Sequence, residues 1–221
     1  QLWLRRLGSR LPRFRIEAAR CMTLLRTPRT QAALQSALAH GDSRLRLAAA
    51  EALADDPARG AEIADRLLAD PAGKARHAKR FWHRLAMVAP TVLVERLAAS
   101  DAEPGLLVHL VDALGDAGHV AAGGRLEGLV GRHGALVDRA ALKALDRLNH
   151  PAVMRVAHRL AESGQLDSRR AAVDVLSVRA RAKDLDLLQA LSTDPVTEIA
   201  DAARTIHERL AALTVTGASP A

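Results

Sequence analysis

Apolar positions along this chain recur at steps of three and four residues over almost its whole length, and no segment shows sustained alternation. That pattern predicts amphipathic helices rather than half-buried strands. The helical segments also repeat one another. RFRIEAARCMTLL (13–25), SRLRLAAAEAL (43–53), ALVDRAALKAL (135–145), DSRRAAVDVL (167–176) and TEIADAARTI (197–206) share a small-residue pair followed by a closing aliphatic. Arg15, Arg46, Asp138, Arg169 and Ala200 hold one equivalent slot, at steps of 31, 92, 31 and 31 residues. The long step is three periods, so it predicts two further copies near His77 and Val108. GKARHAKRFWHRLAMV (73–88) and EPGLLVHLVDALG (103–115) fall there in degenerate form.

The slots have a physical sense. Ala18–Ala19, Ala49–Ala50 and Ala171–Ala172 let one helix pack closely on its neighbours, and Leu53, Leu145, Leu176 and Ile206 continue the same face one turn later. Turn signals precede these helices at Gly41-Asp42-Ser43, Glu103-Pro104-Gly105, Gly134, Gly164 to Ser168 and Asp194-Pro195. There Asp or Ser caps a helix and Pro fits its first turn. Partner helices are legible at 31–39, 58–69, 91–99, 120–131, 151–162 and 183–192. The chain therefore reads as one lone helix followed by six helical hairpins. Its composition agrees. Nearly half of it is apolar, at 49%, mostly Ala, Leu and Val, with no Tyr, two Phe and two Trp. Small aliphatic residues suit close helix packing and suit a β-sandwich poorly.

The motif at 45–53, LRLAAAEAL, resembles the second helix of HEAT repeats, whose pattern is VRxxAAxAL. The resemblance covers about residues 13–213. It implies an all-α, right-handed α-solenoid of about six hairpins plus an N-terminal helix, with the second helices lining a concave side that binds extended partners. Residues 1–12 form a basic amphipathic N-terminal segment, and 214–221 a flexible tail. The Arg of the family pattern stands at Arg15, Arg46 and Arg169 but is replaced at Asp138 and Ala200. An incomplete polar ladder between repeats is the expectation.

Candidate chemistry is sparse. The chain has no HExxH, GxSxG, P-loop or CxxC motif. Gly123-Gly124 lacks the spacing of a dinucleotide fingerprint and reads as a close helix contact. Cys21 is the only cysteine, which excludes an internal disulfide, and it occupies a small-residue slot that predicts a buried thiol. His207-Glu208 is a single His–Glu pair, whereas the HEAT-like hydroxylases use several. No enzyme activity, metal or cofactor is expected on these grounds.

Charge alters the picture at two places. The net charge is +7, and residues 1–30 hold eight Arg against Glu17 alone. The remainder is therefore neutral, which argues against general nucleic-acid binding. KARHAKRFWHR (74–84) has no acidic residue. Its Arg76, Lys79, Arg80, His83 and Arg84 are candidate partner-binding residues, beside an apolar stripe that includes Phe81 and Trp82. HEAT-like alkylpurine DNA glycosylases have a basic, aromatic groove and supply the alternative reading. The chain departs from them in its few aromatics and neutral body.

In the N-terminal segment, Trp3, Arg5, Arg6, Arg10 and Arg13 are candidates for contact with a membrane surface. The same residues also suit a capping helix that packs Leu2, Trp3, Leu7 and Leu11 on the first repeat. Arg exceeds Lys by 28 to 4, the mark of a GC-rich bacterial genome. The expectation is a monomeric cytoplasmic protein-interaction scaffold at the inner face of the plasma membrane, of the kind that follows a transmembrane helix.

Overall fold

The computed structural model describes residues 2–25, 27–99 and 102–215, with the side chains of Pro57, Ala72, Arg76, Ala99 and Val215 outside that description. The described residues are helical with no strand. They divide into two compact units, Gln1–His119 and Val120–Ala221. In the first lie α1 (Leu2–Leu7), α2 (Pro12–Met22), α3 (Pro28–His40), α4 (Ser43–Leu53), α5 (Pro57–Leu68), α6 (Pro71–Lys74), α7 (Lys79–Val88), α8 (Pro90–Ala99) and α9 (Pro104–Asp116). In the second lie α10 (Gly123–Leu129), α11 (Ala135–Arg147), α12 (Val153–Ala161), α13 (Leu166–Arg179), α14 (Leu185–Leu191) and α15 (Thr197–Val215). The expected hairpins are present as α3/α4, α5/α7, α8/α9, α10/α11, α12/α13 and α14/α15, after the lone α2. Thr214 and Val215 close α15, and residues 216–221 lie outside the described residues.

Stacking follows the repeat. In the first unit α4 packs against both α2 and α7, and α7 against α9; in the second, α13 packs against α11 and α15. The alanine pairs lie at these crossings, and Ala18, Ala19, Ala49, Ala50, Ala171 and Ala172 are all buried. Without bulk beyond Cβ, they let neighbouring helix backbones approach. Leu53, Leu145, Leu176 and Ile206 are buried beside them, as the periodicity predicts. Gly123 has a comparable role. A Cβ there would run into the His150 imidazole, while at Gly124 the space is open.

Of the predicted helix starts, Asp42 caps α4 and Pro104 opens α9, while no side chain caps α9, α11 or α13; other starts supply caps the turn signals did not name. Thr27 and Thr30 form a reciprocal capping box on α3, and the Asp56 carboxylate accepts the Ala58 N–H at 3.2 Å at the start of α5. One predicted helix is broken. The stretch 73–88 splits into α6, a 3-10 turn at Arg76–Ala78, and α7. Trp82 explains the break. Its ring is sealed in the core, and its indole N–H donates to the Gly73 carbonyl at 2.9 Å, which folds 71–78 back over it.

The slots at Arg15, Arg46, Asp138 and Arg169 build polar ladder steps. Arg15 Nη2 lies 2.9 Å from Asp42 Oδ2, and Asp42 caps α4 by accepting the Leu45 N–H at 3.0 Å. Arg46 repeats the step. It donates to the Gly41 carbonyl at 2.7 Å and lies 2.6 Å from Asp70. In the second unit Arg169 donates to the Ser163 carbonyl at 3.1 Å and to Asp194 at 2.7 Å, and Asp194 accepts the Val196 N–H at 2.9 Å. The expected gap at Asp138 is not there. Asp138 is buried and reverses the polarity: it accepts the Gly131 N–H at 2.7 Å and the Ser168 hydroxyl at 3.2 Å. Because Ser168 belongs to α13, that step still bridges two repeats. The last slot, Ala200, is apolar and buried.

Burial works to raise the Asp194 carboxyl, but the Arg169 guanidinium and the Val196 N–H outweigh it and hold the group below the usual carboxylate range.

Two outcomes follow from the ladder. Asp138→Ala strands the Gly131 N–H and the buried Ser168 hydroxyl, so urea unfolding should show a loss of about 1–3 kcal/mol. Leu136→Ala, at an exposed neighbour, should be close to neutral. The Asp194 contribution is complete above the ordinary Asp value and is lost as pH falls through its depressed folded value. Stability measured from neutral pH down to about 2 should therefore fall more steeply in the wild type than in Asp194→Asn.

Candidate functional site

The outward faces of α2 and α4 and the turn before α7 enclose an open cleft of about 310 Å³ in the first unit. Ile16 of α2 and Leu47 and Ala48 of α4 supply apolar lining, and Arg20, Glu51, Arg44 and His77 complete it. Helical spacing brings these groups together. Ile16 and Arg20 are four apart on α2, and Arg44, Ala48 and Glu51 follow one another at four and three on α4. Glu51 is buried and lies 4.0 Å from Arg20 Nε. Arg44 is exposed and makes no ion pair among the described residues. The ladder occupies Arg46 on the same helix, which leaves Arg44 as an unpaired cation at the rim among the described residues.

The predicted basic segment does not form a single cationic face. Carboxylates of neighbouring helices meet most of it. Lys74 lies 3.5 Å from Glu103, Lys79 lies 3.9 Å from Asp112, and His83 lies 3.9 Å from Asp116. Arg84 reaches back to Asp55 with a two-pronged pair, Nε to Oδ1 at 2.6 Å and Nη2 to Oδ2 at 2.5 Å. That hydrogen-bonded pair raises the Arg84 guanidinium above its ordinary value, against the opposing effect of burial, with Glu51 adding to it. Burial lowers the nearby His109; Asp112 acts to raise it and Lys79 to lower it. Of the four candidates whose side chains are described, only Arg80 stays exposed with no counter-charge among the described residues. It stands three residues beyond His77. The side chain of Arg76 lies outside the described residues.

Sequence reasoning missed Arg20 and Arg44 as lining residues. The available signal was that Arg44 flanks the ladder slot, so one of the two arginines on that turn had to point elsewhere. Other clefts of the first unit carry charges already matched. One of about 360 Å³ holds Arg59 and Arg66, paired with Asp56 at 3.2 Å and Glu62 at 3.1 Å. Another, of about 200 Å³, is lined by Asp55 and Asp56, the partners of Arg84 and Arg59. In the second unit a cleft of about 210 Å³ mixes Arg139 and Lys143 with Asp167, Asp174 and Glu198.

At the N-terminus α1 packs on α2, yet none of its residues is buried. Arg6 holds the two together. Its guanidinium lies 5.1 Å from the Trp3 ring centroid and 5.7 Å from that of Phe14, and 3.7 Å from Glu17. Trp3 is half-buried under this contact. Arg5, Arg10 and Arg13 are exposed, with Arg13 over the Phe14 ring at 4.9 Å. The capping arrangement is thus partial, because Leu2 and Leu11 face outward. No helix among the described residues is long and apolar enough to cross a membrane.

Cys21 is half-buried rather than enclosed. Among the described residues no three His, Cys, Asp or Glu side chains come together as a metal site. A smaller constellation does occur. His158 Nε2 lies 2.7 Å from the carboxylate of Asp184, which is fully buried and also accepts the Arg181 N–H at 2.8 Å. This pair closes the start of α14.

No protein-family model matches the chain, and no curated protein matches it in sequence. Solved structures do. The complex of CpcE and CpcF of phycocyanin lyase from Nostoc sp. PCC7120 matches at 18% identity over 95% of this chain and 93% of that one, with a TM-score of 0.44. Human deoxyhypusine hydroxylase in complex with glycerol matches at 20% identity over 94% of this chain and 83% of that one, also with a TM-score of 0.44. Each unit is an all-α stack of helical hairpins, in keeping with the expected fold class. The expectation that the chain is not an enzyme is overturned by these findings. Both structures bear the names of enzymes.

Trp82→Phe keeps the ring in the core but orphans the Gly73 carbonyl beneath the basic segment. Thermal or urea unfolding should register a loss of about 1–3 kcal/mol.

Proposed function

We propose that this chain is a protein-interaction array, and that the cleft between α2 and α4 receives an acidic segment of a partner protein. The observation that carries this reading is the pairing of an aliphatic lining, Ile16, Leu47 and Ala48, with an exposed arginine, Arg44, that has no counter-charge among the described residues. A groove of this kind suits one aliphatic anchor flanked by carboxylates, with Arg80 extending the positive rim toward α7. Lys79, His83 and Arg84 support the rim through their acidic neighbours and are not its main contacts. A cytoplasmic, bacterial setting belongs to the same reading, supported by the single cysteine and the arginine-rich composition.

The alkylpurine-glycosylase alternative gains no support from the aromatic residues. Phe81 and Trp82 pack edge to face at 4.7 Å inside the core, and Trp3 and Phe14 are covered by arginines. None of the four offers a free ring for stacking on a base.

Fluorescence anisotropy with short labelled peptides tests the proposal. A peptide with a central Leu flanked by Asp and Glu should bind in a salt-sensitive manner, and its Lys-flanked counterpart should not. Arg44→Glu with Arg80→Glu should weaken the acidic peptide by about tenfold or more. Unchanged affinity in that variant, or equal affinity for both peptides, removes the cleft as the binding site.

A further inference from the structure

The N-terminal arginines present a second surface, separate from the cleft. Glu17 is the only acidic residue among the first 30, and it lies within ion-pair distance of Arg6. Arg15 and Arg20 are turned toward Asp42 and Glu51 of α4. Once these are assigned, Arg5, Arg10 and Arg13, and further along the chain Arg29, remain exposed with no carboxylate partner among the described residues. Two leucines stand exposed in the same stretch: Leu2 at 59% and Leu11 at 49%. Leu2 and Arg5 are three residues apart on α1 and share its outward side. Trp3, Leu4, Arg6 and Leu7 turn partly inward against α2. The segment therefore carries three uncompensated cations and two exposed leucines within twelve residues.

We infer that this surface docks on an anionic lipid leaflet. The charge has a single sign, so a negative surface meets Arg5, Arg10 and Arg13 together, and counter-charges within the fold do not compete for them. The leucines add what charge alone lacks, since each gains by leaving water for the boundary between headgroups and acyl chains. Arg6 and Trp3 have a different part. The Arg6 guanidinium lies over both the Trp3 and the Phe14 rings and so fixes α1 on α2, which presents Leu2 and Arg5 from a held helix. Arg6 is thus a positioning residue, and Leu2 and Leu11, not Trp3, make the apolar contact. This assignment is independent of the cleft and of what binds there.

Flotation of the full chain with phosphatidylcholine vesicles, with and without phosphatidylserine, tests it. The expected result is binding only when phosphatidylserine is present, weakening as salt rises. Arg5→Glu, Arg10→Glu and Arg13→Glu combined should lower partitioning about 100-fold or more, from about fivefold for each cation lost. Leu2→Ser with Leu11→Ser should retain binding at low salt and lose the part that survives at high salt. Circular dichroism and thermal unfolding establish that each variant is folded. Equal binding to both vesicle types, or wild-type binding by the triple variant, overturns the inference. Tighter binding to a duplex oligonucleotide than to the anionic vesicles at the same salt also overturns it, in favour of a nucleic-acid surface.

Discussion

Close approach between successive second helices is the constraint on which each unit depends. A helix with leucine at every core position would hold its neighbour away; the alanine pairs at 18–19, 49–50 and 171–172 draw it in until their methyl groups are sealed. That approach sets the length of the side chains able to cross from one repeat to the next. Arginine reaching for Asp or Glu fits, and such pairs recur. Arg96 meets Asp65 across 31 residues, Arg155 meets Glu127 across 28, and Arg84 meets Asp55 across 29. A partner about one repeat away is the general rule for charge in this chain.

Neutrality of the body after residue 30 thus has a structural content. It is not a balance of separate acidic and basic surfaces. Many of the ion pairs lie at the joints, where an isolated exposed pair contributes little and a two-pronged or half-buried pair contributes more. Cations left over after this pairing mark the surfaces that the joints do not use. Arg44 lines the cleft, Arg80 stands on α7 three residues beyond its His77, and Arg5, Arg10 and Arg13 mark the N-terminal surface. The same argument demotes Lys79 and His83, which looked as free as Arg80 before their neighbours were known.

Much of the fold was legible because its signal is local or strictly periodic. A small-residue pair every 31 residues fixes the second helices, and Gly, Asp and Pro mark where they begin. The degenerate copy at 73–88 was located correctly but not its break, since the cause is one indole N–H finding one carbonyl, Trp82 to Gly73. The candidate site was less legible. Whether a basic residue is free depends on a carboxylate on another helix, and the local window around 74–84 contains none. A longer-range signal did exist. Lys79 and His83 are four apart, Asp112 and Asp116 are four apart, and the two pairs are 33 residues from each other. In a stack with a period near 31, that spacing places the two rows of charge side by side.

The polar ladder shows why residue type is a weaker guide than geometry in such an array. A pattern that demands Arg in the slot scores Asp138 as a fault. Yet the slot requires only that its side chain bond to the preceding turn and reach the next second helix. Arg46 does so by donating to a carbonyl in its own turn and meeting a carboxylate ahead. Asp138 does so by accepting an N–H from its own turn and a hydroxyl ahead, from Ser168. Inverting the donor requires inverting its partners as well, and both have been inverted: the Gly131 amide replaces a carbonyl and Ser168 replaces a carboxylate. Substitution at one ladder position is therefore coupled to two others, one in the preceding turn and one about 30 residues further on. The unit of design in this chain is the joint between repeats, not the single repeat.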